Sequence, residues 1–294
     1  MVSFNRDDRQ MLRRIQAHLR LNALRSQAAI EQIGTVDVLI HPQNTGLHLN
    51  CIVPHKGVAW VRREDLLAAF TGMEHLGRVP RLLFLDALFP AAFQQQLTLM
   101  GLALEEQWLL MAYAPLYGPH LPDEVPRGQL PGSMDSSITA TIASTPMELA
   151  AWLRIFRAAY YNTEALIIRP DEVEPLLAAV ESGESLFITA CYENTPLGAA
   201  RITLLPPSAE IEVVVTAPLW HGMGLEEALI ETAVHAAQAY GCGTIFTLAP
   251  SETLLPLYHR LGFIEMARML AFWRQDDSGS YSPRAIQSGT VVAT

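Results

Sequence analysis

Between Glu210 and Gly224 the chain places an acid pair, an apolar run and a glycine turn in one short stretch, Glu210-Ile211-Glu212-Val213-Val214-Val215-Thr216-Ala217-Pro218-Leu219-Trp220-His221-Gly222-Met223-Gly224. Residues two apart in an extended segment point to one side, so Glu210 and Glu212 share a face. Two neighbouring carboxylates can accept or relay a proton; a pair of solvent-facing acids on a sheet edge has the same pattern. Gly222 and Gly224 fall where the extended run gives way to a helix. The free N–H groups of a first helical turn point outward there, and with no side chains in the way a phosphate can reach them. A capped helix with no ligand would use the same residues. A dinucleotide site of the Rossmann kind is excluded, because Glu227 stands where its third glycine would be. The next strand, Thr244-Ile245-Phe246-Thr247-Leu248, also lacks the ribose-binding acid at its end.

The elements that must position these residues follow from periodicity. A short strand near Ile138–Ile142 leads to Thr145, which caps a helix with Pro146 in its first turn and Glu148 completing a capping box. A second helix covers about Asp171–Ser182. Three strands follow, Ser185–Tyr192, Ala199–Leu205 and Glu210–Thr216, joined by the turn-rich segments 193–198 and 206–208. The helix after the glycine turn, Leu225–Tyr240, carries an apolar face on Leu225, Leu229, Ala233, Ala236 and Tyr240. Strand Gly243–Leu248, a helix closing before Gly262 and a strand pair over Phe263–Trp273 complete this half.

Residues 1–113 show a parallel order. A long amphipathic helix from Asp8 to about Ile30 precedes strands at Val36–Ile40, Leu47–Val53 and Gly57–Val61. Helix Arg63–Glu74, strand Arg81–Asp86, a helix over Pro90–Leu99 and strand Trp108–Tyr113 follow. The segment LLFLDALFPAAFQQQLTLMGL matches IFTLAPSETLLPLYHRLGF in order, an apolar strand and a short helix closed by Gly-Leu or Gly-Phe, which reads as an internal duplication. Between the halves, residues 114–136 hold five prolines and three glycines and read as a linker; residues 275–294, rich in Ser, Gly and Asp, read as a flexible tail.

Composition narrows the function classes. With 294 residues, half of them apolar, the chain is long enough for two domains with sizeable cores. A net charge of −10 argues against general nucleic-acid binding, which needs a basic face. No apolar run reaches the ~18–20 residues of a membrane span. Cys51, Cys191 and Cys242 are odd in number and widely spaced, fitting reduced thiols of a cytoplasmic protein and neither a disulfide framework nor a zinc site. His41, His48 and His55 lack ligand spacing, so no metal is assigned.

Thr216-Ala217-Pro218-Leu219-Trp220-His221-Gly222-Met223-Gly224-Leu225-Glu226, taken with Leu257-Tyr258-His259-Arg260-Leu261-Gly262-Phe263, resembles the acyl-CoA-binding motifs of the GNAT superfamily of N-acetyltransferases. Gly224 matches the first glycine of the family's Arg/Gln-x-x-Gly-x-Gly/Ala pattern. Two positions depart: His221 stands for the arginine or glutamine, and Glu226 for the small residue nearest the pyrophosphate. There a carboxylate would oppose a bound pyrophosphate unless it turned away to solvent.

The resemblance implies an α+β fold, a mixed sheet flanked by helices and splayed open for CoA, with two such domains in tandem. The first, residues 1–113, would be degenerate, with Leu97 where the second has Tyr258; the second, residues 137–274, would be the acetyltransferase. The resemblance further implies acetyl-CoA as acyl donor, its thioester beside Val214, Val215 and Thr216. The pyrophosphate would lie on His221, Gly222, Met223, Gly224, Leu225 and Glu226, with Ser251 where the family often has a cofactor-contacting asparagine. Tyr258 would protonate the departing thiolate, and Glu210 or Glu212 would serve as base or water relay. The acceptor would be a small-molecule or peptide amine entering past Tyr160, Tyr161 and Asn162; association as a homodimer is left open. The alternative is a non-catalytic acyl-CoA-binding regulatory module, which the departures at His221 and Glu226 favour.

Overall fold

The structure, a computed structural model, describes residues 6–46, 49–56, 60–114, 137–161, 167–248 and 252–274. In chain order these form α1 (Arg6–Arg25), β1 (Ala29–Ile33), β2 (Val36–Ile40), β3 (Cys51–Pro54), α2 (Arg63–His75), β4 (Arg81–Leu85), α3 (Ala92–Leu99) and β5 (Leu102–Tyr113). There follow β6 (Ile138–Ile142), α4 (Pro146–Tyr161), α5 (Pro170–Glu181), β7 (Ser185–Tyr192), β8 (Thr195–Leu205), β9 (Ser208–Thr216), α6 (Leu225–Ala239), β10 (Thr244–Leu248), α7 (Leu255–Arg260) and β11 (Phe263–Arg274). The expected linker beyond Ala114 and the expected tail lie outside the described residues. The chain divides into two compact units, one holding residues up to Leu110 together with the segment from Glu265, the other Met111–Ile264.

In the first unit the strands run in the order β1-β2-β3-β4-β11-β5. β1, β2 and β3 are antiparallel, β3 meets β4 in parallel, and β11 lies antiparallel to β4 with Leu270 opposite Phe84. Alternate residues of these strands feed one core, in which Ile52, Leu82, Phe84, Leu270 and Phe272 meet Leu66, Phe70, Phe93 and Leu97 from α2 and α3.

The second unit repeats that plan in the order β6-β7-β8-β9-β10, antiparallel except for the parallel pair β9 and β10. Helices cover both faces of this sheet. Ala199 belongs to a core with Trp152, Phe156, Val173 and Leu176 of α4 and α5. The neighbouring Gly198 faces the other way, where an added Cβ would come within 3.0 Å of Leu229 on α6. α4 starts on its capping box: the Thr145 N–H donates to Glu148 at 3.0 Å and the Glu148 N–H to the Thr145 hydroxyl at 3.3 Å.

Several expected boundaries move. α1 stops at Arg25 because Gln27 takes a left-handed φ of 67°, and Ala29–Ile33 then extends as a strand. β3 begins at Cys51, and Trp60 and Val61 lie outside any strand. Glu193 and Asn194 both have positive φ, so two residues suffice for the β7–β8 turn and Thr195–Gly198 join the strand. The expected strand pair over 263–273 is one continuous strand, since no turn residue interrupts FIEMARMLAFWR. Tyr240 caps α6 half-exposed rather than joining its apolar face.

Candidate active site

β9 and β10 are paired over only three residues, Ser208–Glu210 against Thr244–Phe246. Beyond that point β9 continues along β8 through Val213, Val214 and Val215 to Thr216, without β10 on its other side. The two strands therefore part, leaving that edge of β9 with backbone donors and acceptors facing an opening. β8 and β9 are also out of simple register: Arg201 pairs with Val213 and Ile202 with Ile211, so Glu212 is the extra residue of a bulge.

Glu210 lies in the last pair before the strands part, opposite Phe246, and is buried. Glu212 shares its face: it accepts a hydrogen bond from Thr203, the β8 partner of Glu210. Glu212 also forms a 3.1 Å ion pair with Arg201, whose Nε–H is not aligned on the oxygen as a hydrogen bond. Arg201 lies over the Phe187 ring, 5.7 Å from its centroid. Burial, and next the Glu212 charge, push the Glu210 carboxyl up to about 8 against the opposing pull of Arg201.

At the far end of β9 the chain crosses Ala217–Met223 into α6. Gly222 and Gly224 have φ of 76° and 94°, left-handed values that L side chains rarely adopt. Gly224 is the N-cap of α6 and supplies no side-chain acceptor, so the first-turn N–H groups remain available to an anion. A Cβ on Gly222 would meet nothing within 4 Å, so this backbone lies open to an approaching group. Met223 is exposed and Leu225 buried. Glu226 neither faces an approaching anion nor turns to solvent. It is buried, accepting the Thr216 hydroxyl at 2.6 Å, with His221 Nδ1 3.0 Å from the same oxygen. The rest of the imidazole is open, the His221 side chain being 61% exposed.

Tyr258, on α7, is buried edge-on against Phe263, with ring centroids 5.0 Å apart. Its hydroxyl is hydrogen-bonded to Thr247, the first β10 residue beyond the paired stretch, which brings the phenol to the parting strands. Burial holds its acidity well below that of an ordinary tyrosine, against a weaker opposite pull from Thr247. Tyr160 and Tyr161 close an aromatic row with Phe156 and Trp152 on α4. Ser251 and Asn162 lie outside the described residues. The fold thus gathers Glu210, Glu212, Val214, Val215, Thr216, the glycine turn and Tyr258 along one strand and its neighbours. The reading of motifs missed Arg201, Thr203 and Thr247. The first two carry a signal, polar residues at alternate positions of an otherwise apolar strand.

Among the described residues no three or more His, Cys, Asp or Glu side chains are grouped to hold a metal, and no helix is long and apolar enough to cross a membrane. Residues 149–263 match the family described as Acetyltransferase (GNAT) family. No curated protein is significantly similar to the chain. Among solved structures, a GCN5-related N-acetyltransferase from Kribbella flavida superposes with a TM-score of 0.65 at 16% identity, covering 90% of this chain and 96% of that one. Another from Sphaerobacter thermophilus gives 0.55 at 13%, covering 86% and 84%. A tandem GNAT protein from the clavulanic acid biosynthesis pathway gives 0.55 at 13%, covering 81% and 77%. At these identities the likeness is one of fold.

Proposed function

With residues 149–263 matching the GNAT acetyltransferase family, we propose that this protein transfers an acyl group, acetyl in the simplest case, from acyl-CoA to a primary amine by direct attack. The parting of β9 from β10 carries this reading, since it opens one backbone edge beside Tyr258 and ends at the open glycine turn. The donor supplies an activated thioester carbonyl. Val214, Val215 and Thr216 offer backbone groups to the pantetheine arm, and the α6 N-terminus, with His221 and the backbone of Gly222, Met223, Gly224, Leu225 and Glu226, takes the phosphates. Ser251 retains the cofactor-side role that the family motif gives its position.

Tyr258 gives its proton to the departing sulfur; its raised pKa keeps it protonated at neutral pH. The incoming ammonium must lose a proton, and Glu210 accepts it, directly or through water, in its ionised form, which burial confines to pH values approaching 8. Glu212, held by Arg201 and Thr203, sets the charge around it. The domain division at this level is a degenerate first unit and a catalytic second one, as Leu97 fills a core position in α3 where α7 presents Tyr258.

Calorimetric titration with acetyl-CoA tests the reading first: no binding removes it. Given binding, thiol release across a panel of small and peptide amines is expected with at least one acceptor. Binding with no release from any amine would assign the protein to acyl-CoA sensing, the role that the departures at His221 and Glu226 favour.

A further inference from the structure

β6 ends the strand order of the second unit, and among the described residues it is paired with β7 alone. Strand alternation shows what its other side offers. The Glu193 N–H donates to Ser137 O at 2.9 Å and the Ala143 N–H to Phe187 O at 2.8 Å, so the odd-numbered residues turn their backbone groups towards β7. Ile138, Ala140 and Ile142 therefore turn theirs to the open edge. Native proteins commonly blunt such edges with charge, proline or a bulge. β1, which ends the strands of the first unit, carries Glu31 and Gln32. β6 is Ile-Thr-Ala-Thr-Ile, without charge or proline, and its register against β7 is unbroken.

The sequence of β6 reads the same in both directions. A second β6 laid antiparallel about a two-fold axis at Ala140 sets Ile138 opposite Ile142, Thr139 opposite Thr141 and Ala140 opposite its own copy. The residues at 138, 140 and 142 are those whose N–H and C=O face outward, so each donor meets an acceptor across the axis. Residues directly opposite share a face. Ile138 lies on the α6 side, where a Cβ on Gly224 would come within 3.4 Å of its Cδ1; Thr139 and Thr141 are exposed on the other side. Isoleucine thus meets isoleucine and threonine meets threonine, both favourable cross-strand pairs, and no ionised group on the strand opposes its copy. Moving the axis to a neighbouring residue shortens the overlap and sets isoleucine against alanine.

We propose that β6 is a self-association edge, at which two copies of this chain join their sheets by antiparallel β6–β6 pairing about Ala140. Paired strands of this length bury well under the ~1,200 Å² of a stable interface. Apolar surface beside them supplies the remainder. At the Ile138 end, Leu219 and Met223 are 94% and 54% exposed in the turn before α6, and Trp220 packs on Tyr192, the β7 partner of Ile138. At the other end, Met147 is 81% exposed in the first turn of α4.

Sedimentation velocity of the full chain from about 1 to about 100 μM is expected to show a monomer–dimer equilibrium. Ala140→Pro deletes an outward N–H and no bond to β7, and should raise the dimer dissociation constant at least about tenfold. Ala140→Cys sets two thiols opposite each other, with Cα atoms about 5.5 Å apart, within disulfide reach. It is made together with Cys191→Ser, because Cys51 and Cys242 are buried and Cys191 is not. Mild oxidation is expected to cross-link this variant into a covalent dimer, a readout that stands even if Ala140→Pro does not fold. A chain that stays monomeric across the range overturns the proposal. So does a dimer that keeps its affinity in folded Ala140→Pro, or one in which Ala140→Cys does not cross-link, since the copies would then meet elsewhere.

Discussion

In the proposed reaction Tyr258 and Glu210 carry the two proton transfers, and their surroundings make different demands. The Tyr258 side chain is buried, its hydroxyl hydrogen-bonded to Thr247. Removing it by Tyr258→Phe keeps the ring packing on Phe263 and is expected to lower thiol-release turnover by about 100-fold, with CoA affinity nearly unchanged. Equal loss in both would make the residue structural. Glu210 is expected to show itself in stability as well. Its folded-state pKa of about 8 lies above the ordinary glutamate range, so the folded state holds the proton more tightly than the unfolded one. Stability from this group is full at acid pH and is lost as pH rises toward 8, where the buried charge must form. Glu210→Gln should therefore raise the melting temperature more at pH 8.5 than at pH 5, and equal shifts would contradict the assignment. Gly224 was legible in the sequence because only a small set of residues tolerates a left-handed N-cap. The inward turn of Glu226 was not, because its hydrogen-bond partner is Thr216, ten residues earlier and on another element.

Elements were easier to read than their edges. α4 and α6 announce themselves by apolar spacing, and the capping box at Thr145 places the start of α4 to the residue. The β9 bulge left no trace in Glu210-Ile211-Glu212-Val213, whose alternation looks unbroken, because a bulge is a relation to the partner strand. The entrance to α6 is the element most exposed to test. Gly224→Ala puts a Cβ on a backbone with φ of 94° and 3.4 Å from Ile138 Cδ1. The strain costs about 1–2 kcal/mol; a lower melting temperature together with weaker CoA binding is expected. Unchanged values would show that the turn relaxes freely and holds no anion.

At the scale of the molecule the repeated plan was visible in the order of elements, whereas the route of the last strand was not. The acetyltransferase match ends at Phe263, yet Met269–Trp273 pair with Arg81–Leu85, and Leu270 and Phe272 complete the core of the first unit. Pairing between residues so far apart in sequence leaves no local pattern. A chain cut after Ile264 would keep the whole family match but leave β4 as an unpaired apolar edge, with Leu82 and Phe84 deprived of neighbours. It is expected to aggregate or melt non-cooperatively by calorimetry; a soluble product with the wild-type transition would refute the structural role of β11.

The path of β11 also orders events during synthesis. Domains commonly fold from the N-terminus as the chain emerges, yet here the sheet begun by the first hundred residues lacks a strand until residues 265–274 have left the ribosome. The second unit has its β7–β10 strands and α6 earlier in the chain than that closing segment. Maturation of the earlier-made half thus waits on the later-made one, and a nascent protein stalled before residue 274 carries an incomplete partner for any chaperone to hold.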